Sequence, residues 1–123
     1  MRTGNKRAVG SLYEDQAAAF LEKNGLVIRE RNFRCPLGEI DIIAQEKETC
    51  VFCEVKYRRD ESAGAPEEAV DARKQRTICK TAVWYLRQRG LPQDIPSRFD
   101  VIAIRGVGSS CRLRWIRNAF GGW

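Results

Sequence analysis

Asp41 interrupts an otherwise apolar run, Gly38-Glu39-Ile40-Asp41-Ile42-Ile43-Ala44, and Glu54 and Lys56 follow in Phe52-Cys53-Glu54-Val55-Lys56. Burying an unpaired carboxylate costs on the order of several kcal/mol, so Asp41 needs a cation, a hydrogen-bond network or an opening to solvent. Residues i and i+2 share one face of a strand, which points Glu54 and Lys56 the same way. If the two runs pair through a hairpin at Gln45-Glu46-Lys47-Glu48, Asp41 lies beside Glu54. Two carboxylates and an ammonium then converge.

Such a group suits phosphodiester hydrolysis. Asp41 and Glu54 offer the hard oxygen ligands that Mg²⁺ (or Mn²⁺) prefers. A divalent cation held there would polarise a phosphate and acidify a bound water, which Lys56 could orient or help deprotonate. Glu14, on the flank of the first helix's apolar stripe, is a fourth candidate. The plainer alternative is that Glu54 and Lys56 form the wet face of an amphipathic strand while Asp41 pairs with an arginine.

The absence of histidine from the 123 residues narrows the choices. It removes Ser-His-Asp and Cys-His catalysis and any nuclease that depends on a histidine base. Five cysteines in an odd, irregular spacing argue against a disulfide framework. Cys50-x-x-Cys53 lacks a second pair or a histidine to complete a zinc site, so the cysteines read as reduced structural residues. A net charge of +6, with arginine outnumbering lysine, suits a polyanionic partner. No apolar run reaches the roughly 20 residues of a membrane span, and no apolar segment follows the basic N-terminus. A cytoplasmic, non-membrane protein of one domain, 1–123, is expected.

The elements that must position these residues follow from periodicity. Val9, Leu12, Tyr13, Ala17, Phe20 and Leu21 form a stripe at helical spacing across 5–24, stopped by Asn24-Gly25. Strands are expected at 26–33, 39–44 and 50–57, with a charged loop over 58–65. Pro66-Glu67-Glu68 opens a second helix running to about Arg89, although Asp71 could cap a fresh start within it. Strands at 99–104 and 111–116 follow, and the tail from Arg117 is short. The order is α-β-β-β-α-β-β, a mixed sheet flanked by helices.

The arginines admit two readings, a rim around the candidate site or charge scattered over the surface. Arg31, Arg34, Arg58, Arg59, Arg73 and Arg76 could form a phosphate-binding rim. Lys74 reads as part of a solvated face of the second helix. Arg112, Arg114 and Arg117 read as a basic strip or as charges that keep an edge strand soluble. Trp84, Tyr85, Trp115 and Trp123 read as core or interface rather than as base-stacking platforms, and Asp100 as part of a structural network. Gly106-x-Gly108 is a turn, since no helix and no lysine follow at phosphate-loop spacing.

The pattern Asp41, then Glu54-x-Lys56, resembles the metal-binding core of the PD-(D/E)XK nucleases. In them an acid on one strand and an acid-x-lysine on the next build the active site. Nearly the whole chain is similar to the YraN family of bacterial proteins, predicted endonucleases related to archaeal Holliday-junction resolvases. The matching stretches are Gly10-x-x-x-Glu14-x-x-Ala17, Arg31-Asn32-Phe33-Arg34, 38–44, 51–58, Ala69-Val70-Asp71-x-x-Lys74 and Arg98-Phe99-Asp100-Val101. Cys53 stands where an aliphatic residue is usual, a packing variant. The resemblance implies a restriction-endonuclease-like fold, with Glu14, Asp41 and Glu54 as acids and Lys56 as the catalytic lysine. The similarity to resolvase-like folds also implies that Lys74 could face the site from the second helix. The expectation is a Mg²⁺-dependent endonuclease acting on DNA, with nucleic-acid contacts from Arg31, Arg34, Arg58, Arg59 and Lys74. An isologous homodimer would suit a cutter of two strands. A non-catalytic nucleic-acid-binding domain on the same scaffold is the alternative, and a structural assembly module a third.

Overall fold

Local chemistry sets each boundary of the chain. The computed structural model describes residues 4–58, 70–106 and 111–121, with side chains from 12 onward. The first helix, α1, spans Gly4–Lys23. Its end is closed by Leu26 N–H donating to the Leu21 carbonyl at 3.0 Å, a turn that Gly25 permits at φ 94°. Three strands follow directly: β1 (Val27–Cys35), β2 (Gly38–Glu46) and β3 (Thr49–Arg58). Only Lys47 and Glu48 join β2 to β3, a tighter hairpin than the loop from Gln45 that the polar composition suggests. Gln45 and Glu46 are polar yet paired, because sheet hydrogen bonds belong to the backbone.

The second helix, α2, spans Ala72–Gln88. Asp71 caps it, its side chain accepting from the Lys74 N–H at 2.8 Å. The cap at Asp71 is the start the structure describes; Pro66-Glu67-Glu68 and most of the expected loop lie outside the described residues. Next come β4 (Ser97–Arg105) and β5 (Arg112–Phe120). The last strand therefore runs four residues beyond the expected end at Ile116, into the presumed tail. Asp100 accounts for the extension. Fully buried, it accepts from Asn118 N–H at 2.8 Å and Trp115 Nε1 at 2.9 Å and pairs with Arg98. Arg98 and Arg117 both reach Glu46, at 2.6 and 2.8 Å, tying the end of β5 to β2. The structural network expected of Asp100 is present.

The five strands form one sheet in sequence order, β1-β2-β3-β4-β5. Only β3 and β4 are parallel, as a crossover through α2 requires. This is the expected mixed sheet flanked by helices, in the expected order. Alternating residues feed two cores. Ala17, Ala18 and Leu21 of α1 pack with Ile42, Ala44, Val51, Cys53, Ile102 and Ile104. On the other face, Ile78, Ala82, Tyr85 and Leu86 of α2 pack with Ile40, Ile43, Phe52 and Phe99. The sheet lies between the two helices. All five cysteines are free, as expected. Periodicity misreads one apolar residue: Leu12 is 54% exposed, at the edge of the stripe. Of the two readings of Trp84, core or interface, the core is ruled out, since it is 37% exposed on the outer face of α2. Val9 and Trp123 lie outside the described side chains. Among the described residues no helix is long and apolar enough to cross a membrane.

Gly38 marks where α2 presses closest to the sheet. A Cβ there would stand 2.7 Å from Thr77 Cγ2 and 3.0 Å from Thr81 Oγ1. Thr81 is fully buried and its hydroxyl donates to the Thr77 carbonyl at 2.7 Å, so neither side chain yields freely. Gly38→Ala is expected to lower stability by about 1–3 kcal/mol through overpacking. Urea melts of the two proteins would show it as a lower midpoint at unchanged slope.

Candidate functional site

The β2–β3 ladder runs from Glu46↔Thr49 to Ile42↔Cys53 and ends there. Asp41 and Glu54 are the next residues on each strand, so they face each other where the two strands part. The Val55 N–H, no longer in the ladder, donates to Asp41 Oδ2 at 2.8 Å. Side-chain alternation also breaks at this point: Ile42 packs with α1 while Ile40 packs with α2. On β1, Asn32 lies between the pairs Arg31↔Ile42 and Phe33↔Ile40 and takes φ 55°. In that register Asp41 stands opposite Asn32.

Asp41 is only 9% exposed. Burial pushes its carboxyl up, the Glu54 carboxylate pushes it further, and the charges of Glu14 and Glu39 add to both. The Val55 N–H pulls the other way, and the result is a pKa of about 7. Burial likewise raises Glu54, against the nearby ammonium groups of Lys74 and Lys56 and a side-chain hydrogen bond with Asp41. Both carboxyls are therefore held above the usual carboxylate range, Asp41 up to about 7. Among the described residues, the group that contacts the Asp41 carboxyl directly is the Val55 N–H and not an arginine.

Both helices contribute to this point. From α2, Lys74 Nζ lies 3.4 Å from Glu54 Oε2. The resemblance to resolvase-like folds implied that Lys74 could face the site; its partnership with Glu54 was not legible in the sequence. From α1, Glu14 is mostly buried and acts on Asp41 through its charge, while Arg31 lies 3.9 Å from Glu14 and 2.7 Å from Asp15. Lys56, half-buried, is on the same face of β3 as Glu54 and its charge acts on Glu54. The structure thus brings together Asp41, Glu54, Lys56, Lys74 and, at longer range, Glu14.

The basic residues divide. Arg31 is engaged with the acids of α1, and Arg34, on the surface, with Glu39 at 3.2 Å. Arg58 is exposed at the end of β3, two residues beyond Lys56. Arg59 lies outside the described residues, as does the Gly108 turn. Arg73 and Arg76 are exposed on the outer side of α2.

The donor set suits a hard divalent cation. Two carboxyls whose pKa values burial raises, Asp41 further raised by the Glu54 charge, present hard oxygen donors side by side, with Lys74 and Lys56 acting on Glu54. Among the described residues no group of three His, Cys, Asp or Glu side chains forms a metal cage. Two carboxylates with water and substrate oxygens completing the shell is, however, the usual manner of Mg²⁺ binding.

A family profile described as "Uncharacterised protein family UPF0102" matches residues 13–104. A UPF0102 protein of Desulforapulum autotrophicum is 49% identical over 115 residues, covering 94% of each chain. One of Lachnoclostridium phytofermentans is 46% identical over 116 residues, 94% of this chain and 95% of that one. One of Vibrio campbellii is 42% identical over 116 residues, 94% and 93%. Among solved structures, Pyrococcus furiosus SfsA in complex with Ca²⁺ superposes with a TM-score of 0.40 at 15% identity. That likeness covers 91% of this chain and 63% of the other.

Proposed function

The chain belongs to the UPF0102 family, the YraN group, and from the geometry of its site we propose that it hydrolyses phosphodiester bonds with a divalent cation. The observation that supports the reading is the opposition of buried Asp41 and mostly buried Glu54 where β2 and β3 separate. Asp41 and Glu54 would hold the Mg²⁺ or Mn²⁺, which supplies Lewis-acid activation of the phosphate and of water. Lys56 orients the attacking water and compensates charge as the phosphorane-like centre develops. Glu14 keeps the field at Asp41 negative, which favours the cation over a bare ammonium. Val55 N–H fixes the Asp41 carboxylate in place.

DNA is the expected substrate, the cytoplasm the expected compartment and an isologous homodimer the natural arrangement for cutting two strands. The resemblance to PD-(D/E)XK nucleases and a restriction-endonuclease-like core supports the same reading, with the basic residues Arg31, Arg34, Arg58, Arg59 and Lys74 as candidate nucleic-acid contacts. One observation favours the alternative, a non-catalytic nucleic-acid-binding domain: Lys74 already neutralises Glu54.

Titrating Mn²⁺ into the wild type and into Asp41→Asn, with and without a short DNA, separates the two. Bound Mn²⁺ in the wild type and at least tenfold weaker binding in the variant supports the cation site. Equal binding, or none with DNA present, leaves the binder.

A further inference from the structure

The amphipathic helix α2 carries Arg73, Lys74, Arg76, Lys80 and Arg87 and no acidic residue. Lys74 turns inward to Glu54. The other four do something different. At 100° per residue Arg73, Arg76, Lys80, Trp84 and Arg87 fall in one narrow stripe, opposite the buried Ile78, Ala82, Tyr85 and Leu86. All five are exposed, and none of the four cations makes an ion pair among the described residues. Unopposed like charges on one helix face repel, which is a cost that a polyanion removes. The stripe is about 21 Å long at 1.5 Å rise per residue. It starts one residue from the Lys74 that reaches the carboxylate pair.

Trp84 adds a different chemistry. Its indole is exposed and forms one wall of a hollow of about 560 Å³ with Leu37, Val83, Lys80, Arg87 and Gln88. An apolar, aromatic-walled recess rimmed by cations fits a flat, uncharged ring attached to a phosphate. A paired base is already stacked inside its duplex and cannot enter, whereas an unpaired base can.

We propose that the outer face of α2 is a track for single-stranded nucleic acid, with Arg73, Arg76, Lys80 and Arg87 following the phosphates and Trp84 stacking an unpaired base. This deepens the reading of the carboxylate site and rests on it for its purpose, since a strand led along α2 arrives beside Glu54. The substrate class that follows is nucleic acid with an unpaired segment next to the bond to be cut.

The test is fluorescence anisotropy of a short labelled oligothymidylate and of a duplex of equal length, in the absence of divalent metal. Trp84→Ala should weaken the oligothymidylate about fivefold to a hundredfold and the duplex little. Trp84→Phe, which keeps an aromatic face, should stay within about threefold of the wild type for the single strand. Arg76→Gln with Lys80→Gln should flatten the salt dependence by roughly 0.7 per cation removed. Trp84→Ala binding the oligothymidylate as tightly as the wild type overturns the proposal. So does a Trp84→Ala protein that changes from dimer to monomer in sedimentation with unchanged affinity, since the face would then be covered by a second copy. Because no metal is present, either result is independent of the Mn²⁺ titration that tests the carboxylate site.

Discussion

Lys56→Ala should slow metal-dependent cleavage by roughly 10²–10⁴-fold while leaving nucleic-acid affinity within about threefold. The reasoning is positional. Lys56 shares the face of β3 with Glu54, and its ammonium already acts on the Glu54 carboxylate. A cation in that place contributes most when negative charge builds on a phosphate next to it and least in the ground state, so its loss falls on the rate. Phosphate affinity is spread over many basic residues and should survive. Single-turnover cleavage of branched and flapped DNAs, with binding measured in parallel in Ca²⁺, separates the two quantities. Cleavage unchanged in Lys56→Ala would remove the lysine from the chemistry. Loss of binding in step with rate would make it a docking residue instead.

The second large effect concerns stability and pH. Burial and the neighbouring Glu54 raise the Asp41 carboxyl from its ordinary value of 3.8 to about 7. A carboxyl with a higher pKa folded than unfolded keeps its proton longer in the folded state. Folding therefore takes up a proton between about pH 4 and pH 7, and stability falls as pH rises through that window. The full shift corresponds to at most about 4 kcal/mol, shared in practice with Glu54. Asp41→Asn removes the titration yet keeps an oxygen to accept the Val55 N–H. In metal-free buffer the variant should be the more stable protein at pH 8, and its advantage should vanish by about pH 4. Urea melts across that range check the difference between the two curves, in which other titrating groups cancel. Mn²⁺ should close the gap at pH 8 by stabilising the wild type alone. Parallel curves at all pH values would show that Asp41 is not the residue that carries the proton.

These effects trace to features of unequal legibility. Asp41 stood out because a carboxylate inside Ile40-Asp41-Ile42-Ile43 has no cheap explanation, and Glu54-x-Lys56 because the period of a strand is two. The hairpin spacing then placed Asp41 opposite Glu54, and the ladder from Glu46↔Thr49 to Ile42↔Cys53 bears that out. Asp71 as a helix cap and the structural role of Asp100 were likewise local matters of residue chemistry. Other features were out of reach. Periodicity put Leu12 in the apolar stripe, whereas it stands at the surface, and the sequence left open whether Trp84 lies in the core or at the surface. The end of β5 at Phe120 depends on Asp100 and Glu46, which are far away in the chain.

By itself the sequence determined which residues share a face and which types of group stand there, because backbone geometry repeats over two or 3.6 residues regardless of the rest of the chain. It therefore settled the order of elements and the carboxylate-carboxylate-lysine set. Only the tertiary structure decided that the β2–β3 ladder stops at Asp41, that Val55 N–H turns to its carboxylate, and that Lys74 comes to Glu54. Those outcomes depend on how closely α2 packs at Gly38 and how α1 brings Glu14 to the other side. Long-range packing sets such distances, and no local repeat encodes them.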